Sequence, residues 1–154
     1  MKAITLWQPW ASLVAEGWKS IETRSWATRY RGLLAIHAGA KVDSRACQEN
    51  PEIAAFLKHF GHGSGGTGLP TRCVLAIVQL VAISSTEEVA RVLVGAPAAR
   101  LFVSDVNPRE RAFGDFSPGR FAWFMEEVKK LEEPVPAKGA RMLWDWTPPK
   151  GVVA

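Results

Sequence analysis

Residues 5–26, TLWQPWASLVAEGWKSIETRSW, carry the pattern from which the rest of the chain can be read. Thr5 and Leu6 close an alternating, β-prone run that begins at Lys2. The period then changes: Trp10, Leu13 and Val14 recur at helical spacing behind Pro9, a residue suited to the first turn of a helix. Gly17 supplies the stop, because a residue without Cβ enters the left-handed conformation that ends helices. From Lys19 to Trp26 the pattern turns back to strand. Lys19, Glu22 and Arg24 therefore sit where a short helix gives way to a strand. In strict alternation Glu22 and Arg24 share one face, while Lys19 falls on the other and must reach across from the turn after Gly17 on its flexible stem.

Working outward, LLAIHA (33–38) is a short apolar strand bounded by glycines, and CVLAIVQLVAI (73–83) is the best central strand. Further strands are predicted over 120–131 and near 142–146, with Pro134 and Pro136 breaking the pattern between them. Residues 45–60 place Ile53, Phe56, Leu57 and Phe60 at helical spacing, interrupted early by Pro51. The stretch GHGSGGTGLP (61–70) reads as a mobile insertion or lid. It lacks both the strand-to-helix context and the G-K-[ST] ending of a phosphate loop. Ser85 or Thr86 caps a predicted helix that opens with Glu87 and Glu88. Residues 106–119 are polar and read as a surface wrap. Many short strands with few helices give an α+β class, a small β-barrel with flanking helices. One domain over 1–148 with a loose tail, 149–154, accounts for the whole length.

The 154 residues suffice for one core, and 47% hydrophobic with 22% charged residues is ordinary globular composition. A net charge of +4 favours anionic partners, but the run around Arg24, Arg29 and Arg31 is too short for a dedicated duplex binder. Cys47 and Cys73 lack C-x-x-C spacing, and His59 and His62 have no third ligand nearby, so neither a metal nor another cofactor is expected. No leader and no apolar stretch of membrane-spanning length is apparent, which makes cytoplasmic residence without membrane association the expectation.

Gly17, Lys19, Glu22 and Arg24 form G-x-K-x-x-E-x-R, preceded by Gln8-Pro9-Trp10. RGLLAIHA (31–38), the strand at 73–83 and GRFAWFMEEVKKLEEPVPAKGARMLW (119–144) follow in order. Together they resemble the ASCH family of the PUA-like superfamily over nearly the entire chain. The glycine-rich loop and residues 90–115 have no obvious counterpart. The QP-aromatic-A, E-T-R and EPVPAKG segments resemble the branch containing the endothelial-overexpressed lipopolysaccharide-associated factor.

The resemblance implies a PUA-like β-barrel with a cleft beside the first helix. It also implies one of three activities: RNA or nucleotide binding, ribonuclease action, or hydrolysis of N4-acylated cytosines. The leading expectation is an amidohydrolase removing acyl groups from N4-acylated cytosine or cytidine. Glu22 would activate water and Lys19 would stabilise the oxyanion or protonate the departing amine. Small bacterial amidohydrolases of the family have Thr where this chain has Glu22, and pair it with a Lys and a distant Glu. Lys19 carries over, and Glu87 or Glu88 lies in the region of that Glu. The alternative is a noncatalytic RNA or modified-nucleobase binding module. A metal-independent ribonuclease ranks third, for want of a His pair to work on a phosphodiester.

The substrate-binding candidates are Gln8, Trp10, Arg24, Trp26 and His37. Trp10 and Trp26 would wall a pyrimidine ring, and such stacking is worth roughly 1–3 kcal/mol. The Arg24 fork would anchor Glu22 or contact a base or phosphate. His37, inside an apolar strand, reads first as a hydrogen-bonded core residue and only second as part of the cleft. Asp115, Ser117, Arg120 and Lys138 are further polar groups near the predicted cleft. The expected partner is a nucleoside or nucleobase, or RNA.

Overall fold

A computed structural model describes residues 1–88 and 107–152. The N-terminal alternation becomes β1 (Lys2–Gln8), followed by α1 (Trp10–Ala15) and β2 (Ile21–Arg24). Gly17 sits at φ +72°, and the turn it makes lets Trp18 N and Lys19 N both donate to Leu13 O. The helical stretch after β3 (Gly32–Val42) divides at Pro51 into α2 (Ser44–Glu49) and α3 (Pro51–His59). Asn50 makes the division stable, its Oδ1 accepting from Glu52 N and Ile53 N at 3.0 and 3.3 Å. A single 3-10 turn (Ser64–Gly66), β4 (Cys73–Ser85), α4 (Pro108–Phe113), β5 (Phe121–Pro136) and β6 (Leu143–Asp145) complete the described elements.

The strands form one six-stranded sheet in the order β2-β5-β4-β3-β1-β6. β1 and β3 run parallel, with Lys2 opposite Leu34 and Leu6 opposite Ala38; the other pairings are antiparallel. Among the described residues hydrogen bonds do not close the sheet, and β2 and β6 are its edges. Alternation sorts the side chains: Ile4, Leu6, Leu34, Ile36, Val78, Leu80 and Trp123 join Ala11 and Val14 of α1 in the main core. Ala3, Ala35, Val74 and Ile77 gather beneath Trp146 in a separate cluster. A third group, Leu13, Ile53, Phe56, Leu57, Leu69 and Phe113, joins the helices to one another.

Three expectations are corrected. β5 runs through Pro134 to Pro136 rather than breaking, with Val135 opposite Val74. This is tolerable because β2 covers only Phe121–Phe124, so the prolines lie where β5 has a hydrogen-bonding partner on one side only. The glycine-rich segment is packed rather than lid-like: Gly66 is buried at φ +82°, a Cβ there would come within 2.7 Å of Val42, and Leu69 belongs to the helical core. Residues 107–119 do not simply wrap the surface, since α4 buries both Glu110 and Phe113. Of the helix predicted after residue 84, Glu88 N donates to Ser85 Oγ at 3.3 Å, as a cap requires, and the remainder lies outside the described residues.

Cys47 and Cys73 are buried and unpaired, and burial pushes both thiols up. Among the described residues no helix is long and apolar enough to cross a membrane, and no three His, Cys, Asp or Glu residues cluster as metal ligands would.

Candidate functional site

β2 pairs with β5 so that Glu22 lies opposite Trp123 and Arg24 opposite Phe121. The turn before β2 carries Lys19, whose side chain is fully buried. Its ammonium donates to Ile21 O and stands 3.5 Å from Glu22 Oε2. On the other side of the carboxylate, Arg24 Nη1 stands 3.6 Å from Glu22 Oε1, and Arg24 Nη2 donates to Thr5 O at 3.4 Å. The carboxylate is thus held between a buried ammonium and a guanidinium. Arg24 Nε is buried without a partner.

The turn is itself anchored from α4. Glu110 accepts from Ser20 N, from Ser20 Oγ at 2.6 Å and from Ile21 N at 3.3 Å. Charge-assisted bonds of this kind are about twice as strong as neutral ones. They fix the backbone that leads from Lys19 into β2.

Glu22 and Arg24 open onto a cleft of about 780 Å³ whose walls include Trp7, Trp10, Trp26 and Arg120. Trp10 Nε1 donates to Phe113 O at 2.9 Å, which locks the ring against α4. Trp26 meets Trp123 edge to face at 4.7 Å, and Arg24 Cζ lies 5.8 Å from the Trp26 ring centre. The far wall is tied to β2 through Thr23, whose Oγ1 accepts from Asp115 N at 2.9 Å and whose carbonyl accepts from Arg120 Nη2 at 3.2 Å. Hydrogen bonds from Ser117, and then the Arg120 guanidinium, hold the Asp115 carboxyl below the usual carboxylate range.

Of the residues nominated from sequence, the structure brings Glu22, Arg24, Trp10, Trp26, Asp115 and Arg120 to this cleft, but not Ser117, and Lys138 lines a neighbouring hollow. Lys19 lies beneath it, in contact with Glu22 but without solvent exposure. Gln8 is completely buried and serves α1: its Oε1 accepts from Ser12 N, while its Nε2 donates to Ser12 Oγ and to Pro70 O. His37 lines a different hollow, with Nε2 3.0 Å from Ala137 O and Nδ1 3.2 Å from Thr5 Oγ1. Burial lowers its pKa against the opposing effect of the Ala137 bond. Glu87 accepts from Gly119 N at 2.8 Å, and neither Glu87 nor Glu88 lines the cleft.

Sequence reasoning passed over Glu110, Arg141 and Trp7 as site residues. Trp7 is 48% exposed on the cleft rim, with Lys41 Nζ 3.6 Å from its ring centre. Its position was readable, since it falls between Leu6 and Gln8 on the opposite parity to two buried residues. Glu110 lies 90 residues from Ser20, and its pairing has no local signature.

A sequence profile of the ASCH domain matches residues 4–135. The chain belongs to the ASCH domain family. This ASCH chain is 38% identical over 81 residues to activating signal cointegrator 1 of Homo sapiens, and 37% identical over 81 residues to its counterpart in Mus musculus. The match takes in 51% of the chain but only 13% of either cointegrator. Among solved structures, ASCH from Zymomonas mobilis superposes with a TM-score of 0.53 at 12% identity, covering 95% of this chain and 87% of that one. A serine-to-alanine mutant of the same Zymomonas protein gives 0.51 at 13% identity, with the same coverage. That likeness shows that the chain shares the α+β fold of the Zymomonas protein.

Proposed function

We propose that this ASCH domain recognises a nucleobase in the Glu22–Arg24 cleft, as part of an RNA strand or a free nucleoside. The carrying observation is a carboxylate and a guanidinium presented side by side to an open cleft walled by indoles. A base has a flat apolar face and an edge of mixed donors and acceptors, and these surfaces match both. Carboxylates accept from exocyclic amines such as cytosine N4, arginine donates to ring and carbonyl acceptors, and aromatic walls take the face. Lys19 holds the Glu22 carboxylate from below, so the acceptor is preorganised before a base arrives.

Titration of cytidine and of short RNA oligonucleotides, followed by tryptophan fluorescence, tests this. Glu22→Gln should weaken binding about tenfold, the lower end of what one good base contact contributes. Trp7→Ala, which leaves the core untouched, should reduce the quenching. No binding of either ligand at millimolar concentration would overturn the reading.

A second reading, amide hydrolysis of N4-acylated cytidine, is favoured by the Lys19–Glu22 contact. In it Glu22 takes a proton from water, the hydroxide adds to the acyl carbon, and the C–N bond breaks as the proton passes to the departing amine. Arg24, which faces the cleft, is the cation placed to meet the oxyanion. Lys19, being buried, positions Glu22. Incubation with N4-acetylcytidine should then give equal amounts of cytidine and acetate, and Glu22→Gln should abolish release. Tight binding without product would leave recognition alone standing.

A further inference from the structure

Beside the base cleft lies a second hollow of about 740 Å³, which shares Thr5, Ala140 and Arg141 with it. Its cations are Arg72, Lys138 and Arg141, all exposed, and no acidic residue lines it. None of the three is in an ion pair among the described residues. Clustering like charges without counterions raises the local positive potential and draws anions.

The hollow is held in shape. Arg72 sits at φ 58°, in the left-handed region that a side chain enters at a cost, and is pinned there as its N–H donates to Gly39 O and its carbonyl accepts from Ala137 N at 3.0 Å. The strap bearing Lys138 and Arg141 is pressed onto the sheet, with Thr5 Oγ1 donating to Ala140 O at 3.1 Å. A Cβ at Gly139 would come within 2.6 Å of His37 Nδ1 and 2.8 Å of Thr5 Oγ1, so only glycine permits so close a seat. Gly39 lines the same hollow, where a Cβ would press on Thr5 Cγ2 at 3.1 Å.

We propose that this second hollow binds the phosphodiester backbone of a single-stranded polynucleotide whose base occupies the Glu22–Arg24 cleft. The proposal rests on the base-recognition reading and extends it to a polymer. A ligand spanning both hollows must carry a flat hydrogen-bonding ring and, beside it, a negative charge to meet Arg72, Lys138 and Arg141. A nucleotide strand has that constitution, whereas an acidic peptide would leave the indole-walled cleft unused.

The test compares binding of free cytidine, a fluorescein-labelled eight-nucleotide RNA and the matching DNA by the wild-type protein and by Arg72→Gln/Lys138→Gln. Both substitutions are at exposed positions outside the base cleft. A single strand contributes a log–log salt slope of about 0.7 per phosphate contact, so the variant should lose roughly 1.4 from the slope and about tenfold in affinity at 0.1 M salt. Cytidine binding should be unchanged. Loss on either RNA or DNA supports the proposal, and equal loss on both identifies the shared backbone as the feature read. Unaltered oligonucleotide affinity and slope in the variant would overturn it. Failure of the base reading is seen separately: oligonucleotide binding that depends on Arg72 and Lys138 but is indifferent to Glu22→Gln keeps the phosphate site and removes the base cleft.

Discussion

Lys19 is a fully buried cation, and its chemistry as a folding element follows from that burial alone. Desolvating an ammonium costs several kcal/mol, which is recovered here by Glu22 and Ile21 O. Removing one member of such a pair strands the other. Lys19→Ala should therefore lower the free energy of unfolding by about 3–5 kcal/mol in urea titration, while Lys19→Met/Glu22→Leu/Arg24→Leu, which removes all three charges of the cluster, should cost much less. Equal losses in the two variants would contradict the pairing.

His37 offers a pH test. Its folded pKa is depressed below the ordinary value of about 6.5. As pH falls through 6.5 the unfolded chain takes up a proton that the folded chain refuses, so stability declines until the folded pKa is reached. Well above that ordinary value the residue contributes no slope. Unfolding measured from about pH 8 to pH 5 should show an acid-side loss that His37→Gln lacks. The sequence offered His37 either as a core residue or as a cleft residue, and its ring settles with Thr5 and Ala137 because the strap 137–141 returns from 100 residues away.

At the scale of elements, α4 and the turn before β2 form one unit. Glu110 closes it, and Glu110→Gln should cost about 2–3 kcal/mol, since charged acceptors contribute more than neutral ones and their buried donors remain. Although Glu110 does not line the cleft, loosening the turn should weaken base affinity as well. The combination of calorimetric destabilisation and reduced cytidine binding checks that coupling. The strands were legible because alternation and apolar runs are local. α4 was not, because its buried residues Glu110 and Phe113 sit in a short polar segment bounded by Pro108 and Gly114. The signal available was Asn107-Pro108 followed by Glu110: Asn107 Oδ1 accepts from Glu110 N at 3.0 Å, as an N-cap does. The prolines of β5 misled for a related reason, since whether a strand tolerates proline depends on its neighbours, which a single segment does not disclose.

Across the whole molecule, the convergence of Lys19, Glu22 and Arg24 was readable because they lie within one turn and one strand. Asp115 and Arg120, named from sequence without geometry, do reach the same cleft, whereas Arg141, which sequence passed over, arrives through the return of the chain to β1. That return also closes the fold. β6 pairs with β1, the N-terminal ammonium donates to Trp146 O at 2.8 Å, and Lys2 lies 2.9 Å from Asp145. The exposed Lys2–Asp145 pair adds little. Trp146 adds much more, because its ring covers Ala3, Ala35, Val74 and Ile77, apolar residues from three strands that the helices do not reach. Trp146→Ala would open that face to water and leave a cavity, at a cost of about 3–5 kcal/mol. Because β1 also carries Thr5 and Trp7 into the cleft, loss of Trp146 should not unfold one end alone. Denaturation of the variant followed by tryptophan fluorescence and by far-UV circular dichroism should give coincident transitions at lower urea. Two separated transitions would show that the terminal closure is an independent unit and not part of the frame that holds the site.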